Sequence, residues 1–176
     1  MNSAQTVSLD AATAADETLL ANLLELYIHD LSAAFPDVAL GPDGRFGYPA
    51  LPRYWAEPDR RFAYLIRADG QTAGFVLARR GSPASEDPDV LDVAEFFVLR
   101  RYRGAGVGRR AAALLWRRHP GRWVVRVSDA NAGGLAFWPR VVEAAAPGGV
   151  DTCTRPGSPA AWRVFIFSPT PAHDAG

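Results

Sequence analysis

The segment Arg100 to Arg110, RRYRGAGVGRR, constrains this chain more than any other stretch. Gly104, Gly106 and Gly108 remove side chains where the backbone turns. Upstream, Val90 to Leu99 (VLDVAEFFVL) reads as a long central strand. Downstream, Val107 to Arg118 sets Val107, Ala111, Leu114 and Leu115 on one face of a helix, which His119-Pro120-Gly121 stops. Trp123 to Val127 follows as a second buried strand. Strand, helix and strand in this order predict a βαβ crossover with parallel strands and a right-handed connection. A glycine-rich turn running into a helix N-terminus offers converging backbone N–H groups and a partial positive charge. Arg103, Arg109 and Arg110 add full charges. The combination suits a phosphate or pyrophosphate.

The known phosphate loops narrow the choice. A dinucleotide fingerprint GxGxxG needs glycine where Arg109 stands. A P-loop needs lysine, and all 19 basic residues here are arginine, which also excludes kinase and Schiff-base chemistry. What remains is Arg103-x-x-Gly106-x-Gly108, preceded by Val98-x-x-x-Tyr102. The formal net charge of zero argues against a nucleic-acid-coating protein. It hides an acidic front, with seven carboxylates and no arginine in residues 1–44, and a basic centre, with nine arginines and no carboxylate in residues 98–126. A local basic patch of this kind favours a small anion over a nucleic-acid groove.

The rest of the chain reads as one α/β (α+β) domain spanning residues 1–176, with residues 170–176 as a frayed tail. Thr6 to Leu9 is a first strand, and a helix capped at Asp16 or Thr18 runs to about Leu31. Residues 37–58 form an aromatic-bearing loop with one helical turn near Leu51 to Ala56. Arg61 to Ala68 and Thr72 to Arg80 make a hairpin around Asp69-Gly70. Asn131 caps a short helix ending at Trp138-Pro139, residues 144–160 are loose, and Trp162 to Phe167 is a last strand. The chain has no apolar run long enough for a membrane span and no secretory leader, so a cytoplasmic setting without membrane partners is expected. His29, His119, His173 and Cys153 lack ligand spacing, so no metal is expected, and no GxSxG occurs.

The stretch VLRRYRGAGVG resembles the acetyl-CoA-binding motif of the GNAT superfamily of N-acetyltransferases, and the similarity extends in order over residues 6–168. Leu23 to Ser32 (LLELYIHDLS) is similar to the first helix of a poorly characterised bacterial subgroup. The resemblance implies a mixed central sheet with helices on both faces and a splayed strand pair at the cofactor site. It implies acetyl-CoA as co-substrate, its pyrophosphate held by amides of Arg103, Gly104, Gly106, Val107, Gly108 and Arg109. Its pantetheine arm would run along the backbone of Phe96, Phe97 and Val98, with Asn131 and Trp138 beside it. The acceptor would be a primary amine of a small molecule or peptide, and the protein a monomer or homodimer.

Asp92 and Glu95 are the only carboxylates on the long strand and are the candidates for the catalytic base. Three residues apart, they point to opposite faces unless a bulge intervenes. Glu95 is flanked by apolar residues and is expected to be buried with a raised pKa. The alternative for each is a strand residue paired to an arginine. The family pattern N-x-x-A-x-x-[LF]-Y carries tyrosine where this chain has Trp138, whose indole is a donor but not a useful acid for the leaving thiolate. A weak or inactive acyl-CoA-binding module is therefore the competing reading. Residues 37–58 and 144–160 are expected to frame the acceptor, and the acidic first helix favours a cationic one.

Overall fold

The computed structural model describes residues 5–170. Seven strands, β1 (Val7–Ala11), β2 (Arg61–Ala68), β3 (Gln71–Arg80), β4 (Leu91–Val98), β5 (Trp123–Ser128), β6 (Val150–Arg155) and β7 (Trp162–Phe167), form one sheet. Its order is β1-β2-β3-β4-β5-β7-β6. The helices are α1 (Glu17–Ser32), α2 (Arg53–Ala56), α3 (Val107–Arg118) and α4 (Ala132–Ala145). Asp69 and Gly70 both take positive φ, 50° and 77°, which is the backbone a two-residue hairpin turn requires. The turn sets Ala68 against Gln71 and so fixes the β2–β3 register.

Two cores lie on opposite faces of the sheet. Val107, Ala111, Leu115 and Trp116 of α3 and Trp138, Val141 and Val142 of α4 pack on one. Leu20, Leu23 and Leu24 of α1 and Tyr54 of α2 pack with Phe75, Leu77 and Phe97 on the other. All other strand pairs are antiparallel; β4 and β5 run parallel, as the crossover predicts. They are paired only at Leu91/Trp123, Asp92/Val124 and Val93/Val125. Beyond Val93 they part.

Three expectations are corrected. The helix begun by Asn131 does not stop at Trp138-Pro139 but continues to Ala145. Pro139 removes one backbone bond, yet burial of Trp138 on one side and of Val141 and Val142 on the other holds both halves against the sheet. The loose segment 144–160 contains β6, whose residues are mostly exposed, so its sequence shows no apolar alternation. Thr170 is tied down, its amide donating to the Ala145 carbonyl at 2.9 Å. The remainder of the expected tail, 171–176, lies outside the described residues.

Candidate active site

The loop between β4 and α3 is shaped by its glycines. Gly104 and Gly106 sit at φ 80° and 76°, and Gly106 stands at the helix N-cap with no side-chain capping bond. The amides of Gly104, Gly106, Val107, Gly108 and Arg109 have no backbone partner among the described residues. The Arg103 amide does have one, donating to the Arg100 carbonyl at 3.1 Å. Arg110 folds over the loop: its Nη2 donates to the Ala105 carbonyl at 3.0 Å, and its buried Nε has no partner. A cradle of unpartnered donors, a helix N-terminus and a guanidinium fits a pyrophosphate.

The loop is anchored from α1. Asp30 accepts from Arg100 at 2.6 Å and from Arg103 at 2.7 Å, which holds its carboxyl below the usual carboxylate range. Arg103 also donates through Nε to the Val98 carbonyl at 2.7 Å and lies over the Phe97 ring. The side chain of the motif arginine is thus a brace rather than a free cation.

The backbone of β4 divides by side. A Cβ on Gly74 of β3 would collide with the Phe97 carbonyl, so Phe97 turns its backbone toward β3. The groups facing the gap belong to Phe96 and Val98, since backbone direction alternates along a strand. The Phe96 ring meets Trp138 at 5.1 Å and Phe137 at 5.8 Å. Trp138 is 8% exposed and packs edge-on to both. Phe137 reaches the first turn of α3, where a Cβ on Gly108 would stand 3.1 Å from its ring. Asn131 caps α4, accepting from the Gly134 amide at 2.9 Å.

Asp92 and Glu95 share a face. Leu77 pairs with Glu95 but Ala78 pairs with Val93, so Ala94 bulges from the ladder and resets the alternation. Both carboxylates point toward α1. Asp92 is fully buried, accepting from Arg79 at 3.0 Å and from Arg126 at 3.1 and 3.2 Å. Both its oxygens are engaged by cations, so it is the arginine-paired strand residue of the alternative reading. Glu95 has no ion pair at its oxygens. It accepts from the Tyr27 hydroxyl at 2.7 Å and the Tyr48 hydroxyl at 2.9 Å. Burial pushes its carboxyl up, against the opposing pull of those hydroxyls and of Arg126 and Arg79. The same burial, with Glu95 beside them, pushes both tyrosines well above the usual phenol range.

The tyrosine partners of Glu95 and the role of Asp30 escaped the sequence reading. Tyr27 and Asp30 lie within LLELYIHDLS, and Tyr48 in the aromatic loop, so the segments carried a signal while the partners did not. The acidic first helix is not an open cationic site: Asp30 holds arginines, and Glu25 accepts from the Phe46 and Gly47 amides at 2.8 and 2.9 Å. Among the described residues no cluster of His, Cys, Asp and Glu is placed to hold a metal, and no helix is long and apolar enough to cross a membrane.

A family model for the acetyltransferase (GNAT) family matches residues 23–142. This chain belongs to that family. It is an acyltransferase domain. The fold is shared with solved structures. An acetyltransferase from Thermus thermophilus is similar at 17% identity and TM-score 0.61, covering 94% of this chain and 98% of that one. The GNAT domain of S. lividans PAT is similar at 21% identity and TM-score 0.63, covering 94% of both chains. The Salmonella typhimurium acetyltransferase-family protein yncA, solved with its cofactor acetyl-CoA, is similar at 16% identity and TM-score 0.59, covering 96% of both. No curated protein matches the chain in sequence.

Proposed function

We propose that this domain transfers the acetyl group of acetyl-CoA to a primary amine of a small molecule or peptide by direct attack, with Glu95 as proton acceptor. The observation that carries the reading is the half-buried Glu95 carboxylate, held by two tyrosine hydroxyls beside the bulge where β4 leaves β5. The acceptor must reach the thioester as a free amine, and an alkylammonium with a pKa of roughly 10.4 has no lone pair. A carboxylate raised by burial is a stronger base than one in water. Its oxygens keep unused lone pairs beyond the two tyrosine bonds, since a carboxylate offers about four.

Gly104, Gly106, Val107, Gly108 and Arg109 would hold the pyrophosphate through their amides, with Arg110 over it. Phe96, Val98, Asn131 and Trp138 would line the arm. When bound, acetyl-CoA supplies the acetyl thioester. Unpaired strand N–H groups in the gap are the donors available to a developing oxyanion. Among the site residues, Trp138 carries no acidic proton for the leaving thiolate, and burial beside Glu95 makes Tyr27 and Tyr48 hold theirs tightly. A thiol with a pKa of roughly 8.5 can leave without one.

The test is release of free thiol from acetyl-CoA across a panel of amines and amino acids. Turnover with a primary amine, reduced by Glu95→Gln more at pH 7 than at pH 9, is expected. One observation favours the second reading, a binding module without turnover: a buried indole stands where the family pattern has tyrosine. Saturable coenzyme A binding with no acceptor across the panel would decide for it.

A further inference from the structure

A second cluster of arginines lies away from the cofactor loop. Arg53, Arg60, Arg61, Arg79 and Arg80 line a solvent-open cavity of about 370 Å³ between α2, the start of β2 and the end of β3, with Glu57 as the one carboxylate in its wall. The cofactor loop follows the other end of β4, where Val98 pairs with Gly74. From Gly74 to Arg79 the strand spans roughly 17 Å at about 3.3 Å per residue.

The charges do not cancel. Glu57 accepts from Arg53 at 2.7 Å and from Arg61 at 2.8 Å, one carboxylate for two guanidiniums. Arg79 is set against Asp92, which it shares with Arg126. Arg60 donates to the Pro88 carbonyl at 3.2 Å and Arg80 to the Asp89 carbonyl at 3.5 Å, neutral acceptors that leave both charges standing. Asp59, Glu86, Asp87 and Asp89 are near in sequence, but none forms an ion pair with these arginines among the described residues. With Glu57 and Asp92 each offsetting one cation, three positive charges remain on the wall.

Two of the guanidiniums, those of Arg61 and Arg79, are also held in place. Arg61, its side chain 10% exposed, lies over the Tyr54 ring with its Nε fixed by Glu57. Arg79 is fixed through Nε by Asp92. A turn at Gly81 closes the wall, its amide bonded to the Val90 carbonyl at 2.7 Å. Arginine forks match carboxylate and phosphate oxygens in bidentate geometry, and forks already immobilised lose little entropy on binding. The cavity volume lies at the low end of the roughly 300–1,000 Å³ typical of small-ligand sites.

We infer that this cavity is a binding site for a small polyanion bearing phosphate or carboxylate groups, separate from the cofactor loop. The ligand is either a free effector or the anionic part of the acceptor, since Arg79 sits on the same face as Glu95.

Calorimetric titration with inorganic pyrophosphate, at constant ionic strength, tests the inference. The full chain carrying Gly106→Asp removes the loop as a competing site. One saturable site is expected in that background, weakened at least about tenfold by adding Arg60→Ala and Arg80→Ala, roughly the loss of one charge-assisted hydrogen bond. Arg60→Lys with Arg80→Lys, which keeps charge but not the fork, should fall between. These side chains bond only carbonyls, and melting curves verify that the variants fold. Absence of a saturable site with Gly106→Asp, or an affinity unchanged by the alanine pair, overturns the inference. Once an acceptor is found, pyrophosphate that competes with it identifies the cavity as the acceptor's anion subsite. A change in turnover without competition identifies a free effector.

Discussion

Gly106→Asp puts the cofactor loop to a quantitative test. Aspartate tolerates the left-handed backbone better than most residues, but φ of 76° still costs it about 1–2 kcal/mol. Space is not the obstacle, because the nearest atom to a new Cβ is Arg110 Nη1 at 3.5 Å. At about 2–4 °C per kcal/mol for a chain of this size, the melting temperature should fall by roughly 2–8 °C. The effect on coenzyme A is larger. A new carboxylate about 4 Å from a phosphate charge repels it by roughly 4 kcal/mol at an effective dielectric of about 20, near a thousandfold in affinity. Arg110 would also pair with the new carboxylate and leave the ligand. Coenzyme A at about 100 times its Kd stabilises the unaltered protein by about 2.7 kcal/mol, a rise of roughly 5–11 °C. The same concentration gives the variant under about 0.1 kcal/mol, and no visible rise. Differential scanning fluorimetry with and without coenzyme A reads both numbers. A folded variant that keeps the full rise would refute the assignment of the loop.

Glu95→Gln should alter the pH dependence of stability as well as turnover. The folded state holds the Glu95 proton more tightly than the unfolded chain. Wild-type stability therefore declines as pH climbs from the ordinary glutamate value through the raised one, and the glutamine variant should lack that component of the slope; parallel melting-temperature profiles from pH 4 upward would contradict it. Asp92→Asn leaves Arg79 and Arg126 without their buried counter-charge and should cost about 3–5 kcal/mol, so a denaturation series showing less than about 1 kcal/mol would remove its structural role. Trp138→Ala should lose about 3–5 kcal/mol of stability by emptying an aromatic contact and should also weaken coenzyme A binding, whereas Trp138→Tyr should keep it. An unchanged coenzyme A affinity in the folded alanine variant would make Trp138 a core residue only.

What was legible in the sequence follows from range. The helix after the glycines, the hairpin at Asp69-Gly70 and the last strand are local patterns, and they stand at the expected residues. Pro139 misled because its local penalty is overridden by burial on either side, which only the packed sheet supplies. β6 was invisible because an exposed edge strand needs no apolar face. On β4 the spacing of Asp92 and Glu95 left the face open, since the bulge at Ala94 is set by pairing with β3 and has no mark of its own. The division between a paired and an unpaired carboxylate then rested on Arg79, Arg126, Tyr27 and Tyr48, drawn from four different elements or loops. A single sequence does not reveal such long-range partners.

The polar side chains of α1 give that helix a mechanical meaning. Glu25 fastens the loop at Phe46 and Gly47, Tyr27 fastens Glu95, the proposed proton acceptor, and Asp30 fastens the glycine loop proposed to hold the cofactor. All three tethers leave one rod within two turns, so they share its rigid-body position. A shift of the rod that loosened the grip on Arg103 would carry Tyr27 with it and change the hydrogen bonding of Glu95. The proposed cofactor loop and the Glu95 carboxylate are therefore aligned through a single helix.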